Sequence, residues 1–178
     1  MAQYSLDAVN SGTFKQYAKA LSKEAMEKLG HKTGTEKDDT LYGNELANFI
    51  TSGAGDDAIS GYGGNDILHG GAGNDTLQGG AGKDTLAGGA GDDRLNGGGS
   101  EADTYVFEKG HGRDVVSDYA YQADHTDTLR FNGAKFAEAV FTRSGNNLVI
   151  KAYGAEDAVT VEGYFSSSSY SVDRKSVV

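Results

Sequence analysis

The sequence of 178 residues contains no cysteine, no proline and no tryptophan. Without cysteine the chain cannot form disulfides, zinc–thiolate sites or thiol redox centres. No apolar run approaches the roughly 20 residues that a membrane-spanning helix needs, and no N-terminal signal peptide is recognisable. The fold must therefore be stabilised without covalent cross-links.

Basic residues and catalytic motifs are also scarce. The chain has 16 lysines and arginines against 26 acids, a net charge of −10, and residues 34–105 carry the whole excess. No basic patch accompanies the aromatic residues, so we expect no nucleic-acid partner. There is no HExxH, G-x-S-x-G or P-loop motif, and four histidines stand apart in the sequence: His31, His69, His111 and His125. Each is interpreted as an ordinary surface or turn residue. We predict no catalytic residue, no organic cofactor and no enzymatic activity.

What the sequence does contain is a nine-residue pattern, repeated eight times between Gly34 and Tyr105. Glycine is favoured at positions 1, 2 and 4, aspartate at position 6 and a large aliphatic residue at position 8, most clearly in residues 70–78, 79–87 and 88–96. Position 8 is occupied by Leu41, Ile50, Ile59, Leu68, Leu77, Leu86, Leu95 and finally Tyr105. Position 6 is occupied by Asp39, Asn48, Asp57, Asp66, Asp75, Asp84, Asp93 and, after a one-residue slip, Asp103. A repeat this regular decides the fold before any other signal.

Each position of the repeat has a physical role. Glycines allow tight turns, and one alternating aliphatic residue marks a strand too short to fold unless it stacks on others. If two repeats form one coil, eight repeats form about four coils, and alternate position-6 carboxylates stack on one flank. Two bare carboxylates about 4 Å apart repel by roughly 4 kcal/mol at an effective dielectric of about 20. A divalent cation reverses that sign, and crowded carboxylate and carbonyl oxygens suit Ca²⁺ better than Mg²⁺.

The pattern closely resembles the RTX repeats of secreted bacterial proteins, Gly-Gly-x-Gly-x-Asp-x-(Leu/Ile)-x. The resemblance implies an all-β fold, a right-handed parallel β-roll over residues 34–106, with about five Ca²⁺ ions held between successive turns. It also implies that carbonyls of positions 2 and 4 in one turn face those of positions 1 and 3 in the next, so that Gly53, Gly55 and Asp57 face Gly70, Ala72 and Asp75. The first repeats depart from the consensus, and we expect their turns, including that of Asn48, to bind weakly or not at all. The metal ligands implied are Thr35, Lys37, Asp39, Ser52, Gly53, Ala54, Gly55, Asp57, Gly61, Tyr62, Gly63, Gly64, Asp66, Gly70, Gly71, Ala72, Gly73, Asp75, Gly79, Gly80, Ala81, Gly82, Asp84, Gly88, Gly89, Ala90, Gly91, Asp93, Gly97, Gly99, Asp103 and Asp114.

An amphipathic α-helix is predicted before the repeats, within an N-terminal segment of residues 1–33. Apolar residues recur at helical spacing from Phe14 to Leu29, with Ser11 or Thr13 as N-cap and Gly30 as the stop. We interpret the helix as a cap on the first coil or as the end of an upstream domain. A membrane-surface or calmodulin-binding helix is the alternative.

Residues 107–165 are predicted to form an antiparallel β cap, and Ser-rich residues 166–178 a mobile tail that retains part of a secretion signal. Lys109–Val116 resemble a ninth turn, which would place Asp114 beside Asp93. The predicted strands are Val115–Tyr119, Thr128–Phe131, Ala139–Arg143, Leu148–Ala152 and Ala158–Val161. This block is similar to the one that follows the repeats in RTX cytotoxins and meningococcal iron-regulated RTX proteins.

The resemblance implies a calcium-dependent folding and secretion module of a large, toxin-like RTX protein. The chain would be disordered at low Ca²⁺ and would fold after export by a type I secretion apparatus, which places it outside the cell or on the cell surface. A host-cell surface or a glycan is a further candidate partner. The alternatives are a carbohydrate-binding or adhesin module, like the R-modules of epimerases, and the tail of an RTX protease or lipase.

Overall fold

The computed structural model describes residues 30–99, 101–117, 126–154, 156–165 and 176–177. Residues 11–29 of the predicted helix and nearly all of the predicted tail lie outside these ranges. The described residues form one 3₁₀ turn, Phe136–Glu138, and fifteen strands: β1 His31–Thr33, β2 Thr40–Asn44, β3 Phe49–Ala54, β4 Ala58–Gly63, β5 Ile67–Ala72, β6 Thr76–Ala81, β7 Thr85–Ala90, β8 Arg94–Asn96, β9 Thr104–Phe107, β10 Arg113–Val116, β11 Thr128–Phe131, β12 Val140–Ser144, β13 Asn147–Lys151, β14 Ala158–Val161 and β15 Ser176–Val177. This part of the chain has no helix long and apolar enough to cross a membrane.

Successive strands alternate between two sheets. One sheet has the order β1-β3-β5-β7-β9-β11-β15, and the other has β12-β13-β14-β10-β8-β6-β4-β2. Within the repeats all neighbours are parallel, and Leu68 pairs with Ile50 on one side and with Leu86 on the other. Partners 18 residues apart mean that one coil contains two nonapeptides. The predicted parallel β-roll is therefore confirmed.

The core consists of stacked position-8 side chains between the two sheets. Alternation along each strand turns this position inward, and the side chains from Ile50 to Tyr105 are at most 2% exposed. Each buried aliphatic contributes roughly 2 kcal/mol. Beyond the repeats the core continues through Val116, Leu129 and Val159, which are fully buried. Each strand of the regular repeats thus contributes only one large aliphatic side chain to this core.

The segment after the repeats prolongs both sheets before it changes direction. Strand β10 pairs in parallel with β8, and β11 pairs in parallel with β9. Strand β14 then adds to β10 in parallel, and among the described strands only β12, β13 and β14 pair antiparallel. The predicted antiparallel cap is confirmed for those three strands, whereas β10 and β11 continue the roll. Alternating apolar residues identified these strands but carried no information about the direction of their partners.

Candidate metal centre

The position-6 side chains form two ladders along the flanks of the roll. The amide of Asp57 donates to Oδ1 of Asp75 at 2.8 Å, and the amide of Asp75 donates to Oδ1 of Asp93 at 2.8 Å. On the other flank the amide of Asp66 donates to Oδ1 of Asp84 at 2.8 Å. Each bond joins one coil to the next and holds the carboxylate in a fixed orientation. The position-6 residues therefore stack, as predicted, in two columns, one on each flank of the roll.

The other oxygen of each inner carboxylate is buried and has no hydrogen-bond donor. This holds for Oδ2 of Asp57, Asp66, Asp75, Asp84 and Asp93, whose residues are 1–3% exposed. Burying an ionised oxygen without a partner is costly, and proteins normally pair such groups or use them to coordinate metals. These five oxygens are the clearest sign that the roll needs a positively charged partner on its flanks.

Glycine at position 1 leaves room for these oxygens. A β-carbon on Gly70 would lie 2.2 Å from Oδ2 of Asp75 and 2.5 Å from the carbonyl oxygen of Gly88 in the next coil. The corresponding point beside Gly79 lies 2.3 Å from Oδ2 of Asp84 and 2.6 Å from the carbonyl oxygen of Gly97. A carboxylate oxygen and a carbonyl oxygen from successive coils thus converge where a side chain would otherwise sit. We call each such point, between two successive turns on one flank, a corner.

Position-2 and position-4 glycines bring further carbonyls to the same corners. Gly71 and Gly73 both have φ of +126°, which side chains rarely tolerate. A β-carbon on Gly71 would lie 2.0 Å from the carbonyl oxygen of Gly53, and one on Gly73 would lie 2.1 Å from that of Gly55. Tyr62 is the exception, a position-2 residue other than glycine with φ of +73°. The turns therefore stack carbonyl oxygens along each flank.

Some predicted carbonyl ligands also accept hydrogen bonds. The hydroxyl of Ser52 donates to the carbonyl of Gly70 at 2.7 Å, and the amide of Gly55 donates to that of Ala72 at 2.9 Å. A carbonyl oxygen has two lone pairs, so one remains for a metal ion.

Burial makes the inner carboxyls reluctant to ionise. Desolvation, and after it the charges of stacked neighbours, raises the pKa of Asp66 and Asp93 to about 7. Desolvation likewise raises the pKa of Asp75 and Asp84 to about 6, and at Asp84 the like charge that adds to it is that of Glu101. For Asp75 the like charge is that of Asp57 in the preceding coil. A cation in the corners would reverse both effects, because it replaces lost hydration and screens the repulsion.

The donor atoms fit calcium. Among the described residues no three histidine, cysteine, aspartate or glutamate side chains converge as a metal cluster. A corner instead offers one carboxylate oxygen together with backbone carbonyl oxygens. Hard oxygen donors of this kind select Ca²⁺ or Mg²⁺, and irregular turns rich in carbonyls suit the larger ion.

Lowering the pH should stabilise the metal-free roll. The pKa values of about 6 to 7 lie above the roughly 3.9 of an unfolded aspartate, so the folded chain binds protons more tightly. The stabilisation that this proton binding gives the folded chain is complete below about pH 4 and is lost as the pH rises through about 6 to 7. In chelator, the β signal in far-UV circular dichroism should therefore rise between about pH 7.5 and about pH 5. The variant Asp66→Asn lacks one titrating carboxyl and should respond less. A signal that stays flat or falls over this interval would contradict the prediction.

The ends of the columns differ from the middle. Oδ2 of Asp39 accepts from the amide of Thr35 at 2.6 Å and from its hydroxyl at 2.8 Å. Lys37, another predicted ligand of this turn, donates its amide to the Thr35 hydroxyl at 3.2 Å. At the other end the amide of Asp93 donates to Oδ1 of Asp114 at 3.0 Å, so the ninth turn stacks on the flank of Asp93.

One later aspartate continues a column and another binds the ninth turn, and both were missed by the sequence analysis. The amide of Asp103 donates to Oδ1 of Asp127 at 3.0 Å. Both oxygens of Asp157 accept amides, from Gly110 at 2.7 Å and from Gly112 at 3.3 Å. For Asp127 the signal was present, since Asp127-Thr128-Leu129 repeats positions 6 to 8 without the preceding glycines and pairs in that register.

A second ladder at position 5 was also missed. The amide of Asn74 donates to Oδ1 of Asp56 at 2.7 Å, and the amide of Asp92 donates to Oδ1 of Asn74 at 2.9 Å. On the other flank the amide of Lys83 donates to Oδ1 of Asn65 at 2.9 Å. Asparagine or aspartate at position 5 therefore has a structural role that the consensus leaves unassigned.

Two histidines that are distant in sequence lie together on the outer face of a sheet. A cavity of about 200 Å³ is lined by His69, Ala87, Val106, Glu108 and His111, among others. Burial lowers the pKa of His69. His111, interpreted from sequence as an ordinary turn residue, is 3% exposed and bonds to a column aspartate. Neither residue was predicted to lie in such a setting.

Comparisons with known proteins agree with the repeat pattern. A family model of the RTX calcium-binding nonapeptide repeat matches residues 33–68, 42–77 and 69–101. Iron-regulated protein FrpA of Neisseria meningitidis serogroup C is 45% identical over 177 residues, and the alignment covers 97% of this chain. The chain spans only 14% of the length of that relative.

Two solved structures match this chain at low similarity. The AlgE6R3 subunit of the Azotobacter vinelandii mannuronan C5-epimerase is 28% identical, with a TM-score of 0.41 and 80% of each chain covered. The extracellular lipase LipA of Serratia marcescens is 19% identical, with a TM-score of 0.38, covering 84% of this chain and 40% of the lipase.

Proposed function

Residues 33–101 belong to the family of RTX calcium-binding repeats, and from this premise we propose that the chain is a calcium-dependent folding and secretion module of a larger extracellular protein. The module is non-catalytic, and its chemistry is the binding of Ca²⁺ between stacked turns.

The five buried Oδ2 atoms without donors carry the proposal. They belong to Asp57, Asp66, Asp75, Asp84 and Asp93, and we propose about five ions, one for each such corner. For the corner of Asp57 the ligands would be the carbonyls of Gly53, Gly55, Gly70 and Ala72 with the column carboxylates. Bound calcium supplies the positive charge that these oxygens lack.

Calcium would act as the switch between an unfolded and a folded chain. Without the ion, stacked carboxylates are desolvated and repel one another, and a core with one large aliphatic side chain per strand opposes this only weakly. With the ion, the interaction between successive turns becomes attractive at every inner corner, and the coils stack into one unit. Affinity should lie in the weak extracellular range, roughly 10⁻⁴ to 10⁻³ M per site.

Such a switch suits export. A chain that stays unfolded at cytosolic calcium can pass through a type I secretion apparatus and fold outside, where calcium is abundant. We propose a secreted or cell-surface location for the parent protein and a toxin-like role for it. The ordered strands β12 to β14 would start the stacking at the C-terminal end.

The test is a calcium titration of the whole chain followed by far-UV circular dichroism. In chelator near neutral pH the spectrum should be that of an unfolded chain, and several millimolar Ca²⁺ should produce a β spectrum in a steep transition. Magnesium at the same concentration is the control and should leave the chain largely unfolded, because its octahedral shell fits these turns poorly. Equal β content in chelator and in Ca²⁺ would reject the proposal.

An exposed tyrosine pair favours a second candidate, a carbohydrate-binding or adhesin module. Tyr42 and Tyr62 are each 52% exposed, and their ring centroids are 6.1 Å apart. Tyr62 adopts φ of +73°, a backbone state that costs a non-glycine residue about 1 to 3 kcal/mol. Exposed aromatic rings can stack on sugars. Specific binding of the folded chain on a glycan array would favour this candidate, and a blank array would favour the module described above.

A further inference from the structure

The side-chain oxygen of position 6 that has no donor in the middle of the columns has protein donors at the first turn on each flank and at the ninth turn on one flank. In the middle, Oδ2 of Asp57, Asp75 and Asp93 has none. At the N-terminal end, Oδ2 of Asp39 takes two bonds from Thr35, at 2.6 and 2.8 Å. On the opposite flank, Oδ1 of Asn48 accepts the amide of Asn44 at 2.7 Å. The first turn on each flank is therefore satisfied without an ion.

The C-terminal end of one column is closed by an imidazole. Nδ1 of His111 lies 2.7 Å from Oδ2 of Asp114, and the two residues are 3% and 1% exposed. The imidazole ring packs against Phe107 at 5.2 Å between centroids and edge-on against Tyr153 at 5.9 Å. These contacts hold the ring beside the carboxylate.

The position of His111 in the repeat matters. It occupies position 3 of the ninth turn, where the regular repeats carry Ala72, Ala81 or Ala90. An alanine offers the corner no donor, whereas the imidazole offers an N–H group and fills space beside Oδ2. One residue thus distinguishes the last corner from the inner ones.

We propose that the first turn on each flank and the ninth turn, on the flank of Asp93, are sealed by the chain's own donors and take no calcium, with His111 standing in for the ion beside Asp114. This inference rests on the proposed calcium binding and deepens it. An ion between turns needs oxygens from two coils. At the corner of Asp114 the imidazole N–H takes the place beside Oδ2 that an ion would occupy, so the carboxylate is satisfied without one.

The test counts bound ions by native mass spectrometry of the whole chain in saturating Ca²⁺. His111→Ala should bind one ion more than the wild type, because Oδ2 of Asp114 then lacks its donor. His111→Asn places an amide N–H near the former Nδ1 and should keep the wild-type count. His69→Ala is the matched control, since His69 makes no hydrogen bond to a column carboxylate, and its count should not change.

A second measurement on the wild type covers the case in which His111→Ala does not fold. Nitrogen-15 NMR of the calcium-saturated chain should show Nδ1 of His111 carrying a proton bonded to Asp114. An unprotonated Nδ1, or a count that is unchanged in folded His111→Ala, would overturn this inference alone. A wild-type chain that binds no calcium would overturn the proposed function together with it.

Discussion

Replacing Gly79 with alanine is expected to destabilise the calcium-saturated roll by about 3 kcal/mol or more, at the upper end for an overpacked core site. The new β-carbon would lie 2.3 Å from Oδ2 of Asp84 and 2.6 Å from the carbonyl oxygen of Gly97. Neither oxygen can retreat easily, because one belongs to a carboxylate fixed by a ladder bond and the other to the backbone of the next coil. The loss should appear as a lower urea midpoint in saturating Ca²⁺.

Gly63→Ala is the matched control for this substitution. Gly63 occupies position 3, where the next three repeats carry alanine, and its new β-carbon would meet only the end of the flexible Glu45 side chain, at 2.8 Å. Neither Gly63 nor Gly79 has positive φ, so alanine strains neither backbone. The control should unfold within about 0.5 kcal/mol of the wild type. Equal losses in the two variants would show that the oxygens at the corner of Gly79 do not constrain position 1.

Asp93→Asn is expected to remove one bound calcium ion and to raise the calcium midpoint of folding roughly tenfold, because ligand charge sets affinity in such sites. The amide oxygen of asparagine can still accept from the amide of Asp75, as Oδ1 of Asp93 does at 2.8 Å. The ladder bond survives, and the substitution removes only the charge. Ion counting by native mass spectrometry and the circular dichroism midpoint measure the two effects.

The neighbouring Asp92→Asn removes the same charge from an exposed position. Asp92 lies in the position-5 ladder, where its Oδ1 accepts the amide of Arg113 at 2.9 Å. Asparagine occupies that position at Asn65 and Asn74 and makes the same bond. The ion count and the midpoint should therefore stay close to those of the wild type. Similar shifts in both variants would mean that net charge, and not coordination at the corner, controls the transition.

The sequence was sufficient to predict the roll because its information is periodic. Leu68, Leu77 and Leu86 recur every nine residues, and a strand of that length can bury one aliphatic side chain only by stacking. The spacing also predicted that Asp57 and Asp75 share a flank, which the 18-residue register shows. The occupancy of these corners by metal remains a prediction.

The segment after the repeats was harder to predict because its glycines disappear. Without them, Thr128–Phe131 and Ala158–Val161 read as ordinary alternating strands, which suggested antiparallel neighbours. Thr128–Phe131 pairs in parallel with β9 because Asp127 still occupies the place of position 6 before the strand. Ala158–Val161 lies between a parallel neighbour, β10, and an antiparallel one, β13. The role of His111 could not be inferred either, since the pairing with Asp114 becomes visible only once the ninth turn stacks.

The two ladders run in opposite senses along the axis of the roll. At position 6 an amide reaches toward the following coil, as Asp75 does to Asp93, whereas at position 5 it reaches toward the preceding coil, as Asn74 does to Asp56. Every coil therefore has two unlike faces, each with its own arrangement of donors and acceptors. A coil translated along the axis would still match its neighbours, but an inverted coil would place amide donors opposite amide donors. The stack thus has a head and a tail that cannot be interchanged.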